Sequence, residues 1–273
     1  LTDHHLPNKS LPRADVILNP NRRDDPYPNK DLAGVGVAYK LVEKLSSHFP
    51  DLEPDNYLDL VAIGTVGDVV PLLGENRFLV SRGLSRLNQN RRQGLLSLLL
   101  AAGLTPTKVS AADIAYQISP RLNAPGRLDS ADLSLELIIN PDPQQTGYLA
   151  QKLEILNQRR KEKTARVINA VSKKLPEKSS LPPLLFAADE TYHPGIVGIA
   201  AGHFTDRYHR PTIIGTIQGP VTTASCRSIP GFNILEALHR FQDHLIQYGG
   251  HSKAAGFNTP TATLALLESG LIE

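Results

Sequence analysis

Three adjacent residues near the start of the chain, Asp3, His4 and His5, are all competent metal ligands. Neutral imidazole binds transition metals well, and a neighbouring carboxylate either ligates beside it or orients it. If Leu1 and Thr2 end a strand, the triplet lies at that strand's carboxyl end, where open α/β sheets place their sites. A solvated turn is the competing reading. Asp68 lies within residues 64–72 (GTVGDVVPL), in apolar, Gly-rich surroundings. A lone carboxylate there is a helix cap or a ligand. Burial of an unpaired carboxylate is costly, and a cation would remove that cost.

The basic candidates come later in the chain. Residues 119–128 (SPRLNAPGRL) carry Arg121 and Arg127 on what reads as a rigid Pro/Gly loop. Two guanidiniums there either clamp a phosphate with paired donors or pair with carboxylates such as Asp129 and Asp132. In residues 224–228 (ASCRS), Ser225 and Arg227 share one face of a strand and Cys226 points to the other. A hydroxyl and a guanidinium at that spacing suit a phosphate. Cys226 has no base at motif spacing and reads as a packed thiol. His193-Pro194-Gly195 opens a helix, and Gly195 and Gly198 let backbone approach a ligand or another helix. Residues 248–256 (YGGHSKAAG) place His251, Ser252 and Lys253 after two glycines. They line a phosphate or nucleotide site, or form a tight turn with an exposed His.

These residues need elements to position them. Residues 14–19 read as a short buried strand, followed by a polar, Pro-rich loop over 19–30. Apolar spacing predicts helices over 32–49, 57–63, 76–87, 94–102, 111–118 and 131–139. From 148 to 175 there is no Gly or Pro. Leu149, Leu153 and Leu156 precede, and Val167, Ile168, Val171 and Leu175 follow, the charged stretch NQRRKEKT. That is one long helix with a solvated middle, a strut between two domains. Residues 176–183 read as a linker. Beyond it, strands over 184–188, 212–217, 221–228 and 254–258 alternate with helices over 196–208 and 234–248, a compact α/β unit.

Composition sets the outer limits. With 273 residues, 41% hydrophobic and 21% charged, the chain is not disordered throughout and makes one large or two medium domains. Its 29 Lys+Arg against 27 Asp+Glu give +2, so bulk basicity is no argument for nucleic acid, and any such site must be local. One cysteine excludes an internal disulfide and a cysteine zinc site and fits a reducing compartment. The longest apolar run, near 95–104, is too short to cross a bilayer, and no signal peptide leads the residues. No methionine is present and the first residues fall in mid-motif, which reads as a piece of a longer chain.

In this order, Asp3-His4-His5, GTVGDVVPL, SPRLNAPGRL, HPGIVGIAAG, SCRS and GGHSKAAG resemble the DHH phosphoesterase superfamily, and within it the single-stranded-DNA exonucleases. The resemblance implies an α/β fold: a partial parallel-sheet DHH domain (1–141), a connecting helix and linker (142–178) and a smaller DHH-associated domain (179–273), with a nucleic-acid cleft between. It implies metal-dependent 5′ to 3′ hydrolysis of single-stranded DNA in repair and recombination, with manganese or magnesium. His4 and Asp68 match metal ligands, and Asp3 and His5 complete the catalytic set. Arg121 or Arg127, with Ser225 and Arg227, match the grip on a terminal 5′ phosphate, and His251 faces the substrate. Expected partners are 5′-phosphorylated single strands, a single-strand-binding protein and a helicase, in the cytoplasm and without a membrane. The family also uses an upstream Asp-x-Asp-Gly run and a further Asp that these residues do not include, so the chain as given is expected to be metal-poor and inactive. A DHH phosphodiesterase of short oligonucleotides or cyclic dinucleotides, and a non-catalytic nucleic-acid-binding DHH protein, are the alternatives.

Overall fold

The computed structural model describes residues 1–7, 10–89 and 92–272. Glu273, the last residue of the expected third segment, lies outside them. The chain divides into two compact units, one of 1–125 with 130–157, the other of 126–129 with 158–273.

The first unit is mostly helical. Helices α1 (Gly34–Ser46), α2 (Leu58–Gly67), α3 (Gly74–Leu87) and α4 (Gln93–Ala101) follow the predicted periodicity. The parallel sheet expected here is reduced, among the described residues, to a single parallel bridge between Thr2 and Leu18. Pro20 follows two residues after Leu18, and a residue without an N–H cannot extend a ladder. Helix α5 (Ala111–Asp113) runs through a π-helical turn (Ile114–Ile118) into α6 (Ser119–Leu128). The loop predicted over 119–128 is therefore helix. Pro125 sits inside it, and its missing N–H and the wide π turn are both irregularities a helix tolerates when its neighbours hold it. Helix α7 (Asp132–Ile139) completes a core around Leu98, Ile114, Ile118, Leu137 and Leu153. Burying each such side chain fully contributes about 1.5–3 kcal/mol.

Helix α8 (Pro143–Lys174) is a single 32-residue rod. Asp142 Oδ1 caps it, accepting from the N–H groups of Gln144 and Gln145 at 2.7 and 3.0 Å. Its two apolar sets serve different cores: Leu149, Ala150 and Leu153 in the first unit, Val167 and Val171 in the second.

The second unit is a mixed five-stranded sheet in the order β1-β2-β3-β5-β4. Strands β1 (Leu185–Asp189) and β2 (Thr212–Gln218) are parallel and joined through α9 (Pro194–Tyr208). Strands β3 (Val221–Arg227), β4 (Gln247–His251) and β5 (Ala254–Pro260) are antiparallel to their neighbours. The helix predicted over 234–248 is cut short: α10 (Ile234–His239) ends after six residues, and residues 247–251 are strand. Gly249 and Gly250 thus lie in β4 rather than ending a helix, because Gly is a poor helix former and β5 offers a full ladder. Residues 264–272, unassigned from sequence, form α11 (Leu264–Ile272). The sheet separates two cores. Ile214 packs with α8 and α9 on one face, while Ile213 and Cys226 pack with α10 and α11 on the other. Among the described residues no helix is long and apolar enough to cross a membrane.

Candidate active site

The first cluster belongs to the first unit. The bridge with Leu18 fixes Asp3, whose N–H donates to Leu18 O at 3.0 Å. Asn19 and Asn21 then hold the triplet: Asn19 Nδ2 donates to His5 O at 2.8 Å and Asn21 Nδ2 to His4 O at 2.7 Å. Sequence reading passed over both asparagines as part of a polar loop. The signal was two amide side chains beside a short apolar run. Asp3 Oδ1 accepts from the backbone of His4 and His5 and contacts His5 Nδ1 at 2.8 Å. Burial opposes the ionisation of Asp3, but the hydrogen bonds from His5 and His4 outweigh it and hold the carboxyl below its usual range.

His4 is the inward member. Its ring edge packs where Gly34 opens α1, and a Cβ at that glycine would sit 3.4 Å from the His4 ring. Nδ1 of His4 lies 3.5 Å from Asp68 Oδ2. Asp68 closes the C-terminus of α2, its N–H donating to Gly64 O at 2.9 Å, so its backbone caps the helix while its carboxylate faces His4. Val69 follows with φ 62°, a β-branched residue in the left-handed region, where strain on the order of 1–2 kcal/mol is expected. Such strain persists where surrounding structure over-determines a site.

Donors 3.5 Å apart can both reach one cation at about 2.1 Å, and an imidazole with a carboxylate suits manganese better than an all-oxygen ion such as magnesium. The pair therefore fits a divalent ion as part of its shell. Among the described residues no third His, Cys, Asp or Glu joins them at one point. His5 is exposed, its Nδ1 tied to Asp3 and its ring packed against that of His4 with centroids 4.4 Å apart.

The two arginines of residues 119–128 do not form one clamp. Six positions along a helix turn them about 120° apart, and they fall in different units. Arg121 is only 6% exposed, bonded through Nε to Glu154 and through Nη1 to the carbonyl and amide oxygens of Gln117. It is a core ion pair, with a carboxylate the sequence reading did not single out. Arg121→Ala is expected to destabilise the chain by about 2 kcal/mol, less than a fully buried pair because Glu154 is part-exposed. Denaturant unfolding measures this, and an unchanged midpoint would remove the structural role.

The second cluster belongs to the second unit. Ser225 and Arg227 do share a face of β3, and Cys226 is fully buried on the other, its thiol pushed up to about 12 by desolvation. Helix α9 covers the Ser225–Arg227 face. Gly198 faces them closely: a Cβ there would lie 3.3 Å from Arg227 Nη2 and 3.4 Å from Ser225 Oγ, a tight fit. Arg227 Nη1 donates to the Cys226 carbonyl at 2.8 Å. Arg127 reaches the first turn of α9, its Nη1 donating to Gly195 O at 3.4 Å. Desolvation, then the charge of Arg227, lower the Arg127 pKa, although its side chain keeps an exposed edge. Neither Arg127 nor Arg227 pairs with a carboxylate among the described residues. Two cations near one helix start without a counter-charge have free N–H groups that could receive an anion.

His251 ends β4 opposite Ala254, which in turn pairs with Arg227. Directly paired residues point to one side, so His251 shares the Arg227 face about 10 Å away, two strand spacings. Ser225 aligns with Gly256 and Gly249 in the same way. Gly249, Ala254 and Gly256 thus keep that face low beside the arginine, while Gly250 and Ala255 lie on the Cys226 face. His193 caps α9, Nδ1 accepting from Gly195 N at 3.2 Å, and burial followed by the charge of Lys163 lowers its pKa.

Two separate stretches of the chain match known families. Residues 1–65 match the DHH family, N-terminal domain, and residues 181–269 match the DHHA1 domain. The chain is 36% identical over 275 residues to the single-stranded-DNA-specific exonuclease RecJ of Bacillus subtilis, covering 100% of this chain and 34% of that protein. It is 37% identical over 284 residues to RecJ of Escherichia coli, covering 94% and 48%. The crystal structure of RecJ from Thermus thermophilus in complex with Mn2+ superposes with a TM-score of 0.89 at 32% identity, over 99% of this chain and 40% of that one. The chain therefore spans between a third and a half of the curated relatives' length. The chain thus carries a DHH-family N-terminal domain followed, after the long helix, by a DHHA1 domain, and over its whole length it is similar to RecJ.

Proposed function

We propose that this chain is the core portion of a metal-dependent exonuclease that hydrolyses phosphodiester bonds of single-stranded DNA from a 5′-phosphorylated end. In this reading His4 and Asp68 hold part of the coordination shell of a manganese or magnesium ion. When bound, that ion lowers the pKa of a water and neutralises charge on the phosphate. Asp3 keeps His5 and the turn in place. Arg127, Ser225 and Arg227 bind the terminal phosphate, the guanidiniums by paired N–H groups and the serine by its hydroxyl. His251, on the same face, lies where the strand would continue.

The observation that carries this reading is that Arg127 and Arg227 both reach the start of α9, at Gly195 and Gly198, with Ser225 beside Arg227 and no carboxylate paired to either arginine among the described residues. RecJ relatives named as single-stranded-DNA-specific exonucleases, and RecJ structures holding Mn2+ or Mg2+, support it. The same reading puts the reaction in the cytoplasm and makes a single-strand-binding protein and a helicase its partners. In the whole protein, Arg227→Ala is expected to weaken use of 5′-phosphorylated strands about tenfold or more, the scale of one charged hydrogen bond. Strands with a 5′ hydroxyl should lose little. Equal loss on both ends would remove the phosphate pocket from the proposal.

A further inference from the structure

Helix α8 carries a feature that neither cluster uses. Arg159, Lys163 and Arg166 are spaced i, i+4, i+7, so they line one face over about 10 Å. All three are exposed, and none has a salt bridge or side-chain hydrogen bond among the described residues. The acidic residue of the stretch, Glu162, instead accepts from Gln158 Nε2 at 3.2 Å. Like charges at i, i+3 and i, i+4 destabilise a helix by about 0.2–0.5 kcal/mol per pair. Glu162 lies three positions from Arg159 and four from Arg166, so it offsets part of that repulsion, but it forms no ion pair with either among the described residues. In a chain with a net charge of only +2, three exposed cations along one helix face are a local concentration rather than a general bias.

The stripe belongs to the unit that holds the arginine cluster. It flanks Val167 and Val171, which share a core with Tyr192, Ile196 and Val197 at the start of α9. The same first turn of α9 receives the hydrogen bond from Arg127. Stripe, helix terminus and Arg127 are thus parts of one body. The lowered pKa of His193, to which the charge of Lys163 contributes, agrees with that proximity.

We propose that Arg159, Lys163 and Arg166 form a track for the backbone phosphates of a single nucleic-acid strand. This rests on the exonuclease reading for the identity of the strand, and it adds a binding surface beyond the phosphate pocket. The contact is to the backbone, so it is independent of base sequence and acts by releasing condensed counterions.

The test is the salt dependence of binding by the whole protein to a 5′-phosphorylated oligo(dT) 20-mer, read by fluorescence anisotropy with a chelator present so that the strand is not cut. Each cation on a single strand contributes about 0.7 to the slope of log K against log salt. The triple variant Arg159→Gln, Lys163→Gln, Arg166→Gln is expected to reduce that slope by about 2, and Lys163→Gln alone by about 0.7. Lys163→Arg should keep it. The thermal midpoint of the triple variant should stay close to that of the wild type, because all three side chains are exposed and the like-charge and opposite-charge helix spacings they lose largely offset each other. An unchanged slope, or weaker binding accompanied by a fallen midpoint and no slope change, overturns the track. Binding that is steep and Gln-sensitive but indifferent to the 5′ phosphate leaves the track standing and removes the pocket.

Discussion

Asp68→Ala in the whole protein is expected to reduce strand hydrolysis by at least about a hundredfold while leaving the fold intact. Loss of groups that merely orient a metal ligand already costs about 10–100-fold, and a direct ligand should cost more. The carboxylate faces His4 at 3.5 Å and its side chain is 39% exposed, so removing it opens no core cavity. Substitutions at such positions usually stay within about 0.5 kcal/mol. The helix end survives because Asp68 caps α2 with its backbone N–H, which alanine keeps. Manganese titration should show a weakened site, and Asp68→Asn should behave almost as badly, since an amide keeps the shape and loses the charge. Hydrolysis at the wild-type rate with unaltered manganese binding would sink the ligand role. A fallen unfolding midpoint would show that Asp68 stabilises the end of α2 beyond its backbone bond.

Gly195→Ala should strike both stability and the phosphate pocket. A Cβ at Gly195 would lie 1.9 Å from the carbonyl oxygen of Arg127 and 2.8 Å from its carbonyl carbon. These are backbone atoms, so no side-chain rotation relieves the clash. Either the first turn of α9 or residues 126–129 must move. Overpacking of this kind costs about 1–3 kcal/mol, and contact with backbone belongs at the upper end. Because Arg127 bonds to the Gly195 carbonyl, the same movement separates the guanidinium from Arg227. Denaturant unfolding should show a destabilisation of about 3 kcal/mol. The ratio of kcat/KM for 5′-phosphorylated over 5′-hydroxyl strands should fall toward one. Wild-type stability and wild-type end preference together would contradict the close approach.

Ser225 and Arg227 show what a sequence discloses. Strand alternation alone put them on one face and Cys226 on the other, and that is how they stand. The long helix was legible for a similar reason: a long run without a break, with two apolar sets on either side of a charged stretch, admits few other structures. Arg121 shows the opposite. Its type and its motif suggested a phosphate, yet it is buried against Glu154, thirty-three positions away. Nothing local distinguishes it from Arg127, because the difference lies in which carboxylate tertiary packing brings up. The helix expected over 234–248 failed on the same ground. Local apolar spacing favoured helix, but residues 247–251 gain a complete ladder from β5, a partner invisible within a short window.

From sequence by itself came the chemistry available to this protein: one imidazole and carboxylate set near the start, one set of guanidiniums and hydroxyls later, and a rod between them. Side-chain type and local period determine these, since both act over a few residues. Only the tertiary structure decided that His4 meets Asp68, that Arg127 and Arg227 both reach the start of α9 while Arg121 does not, and that Gly195 is required to let α9 approach. Those choices depend on contacts between residues tens of positions apart, where excluded volume and the pairing of charges select among partners that sequence leaves equivalent.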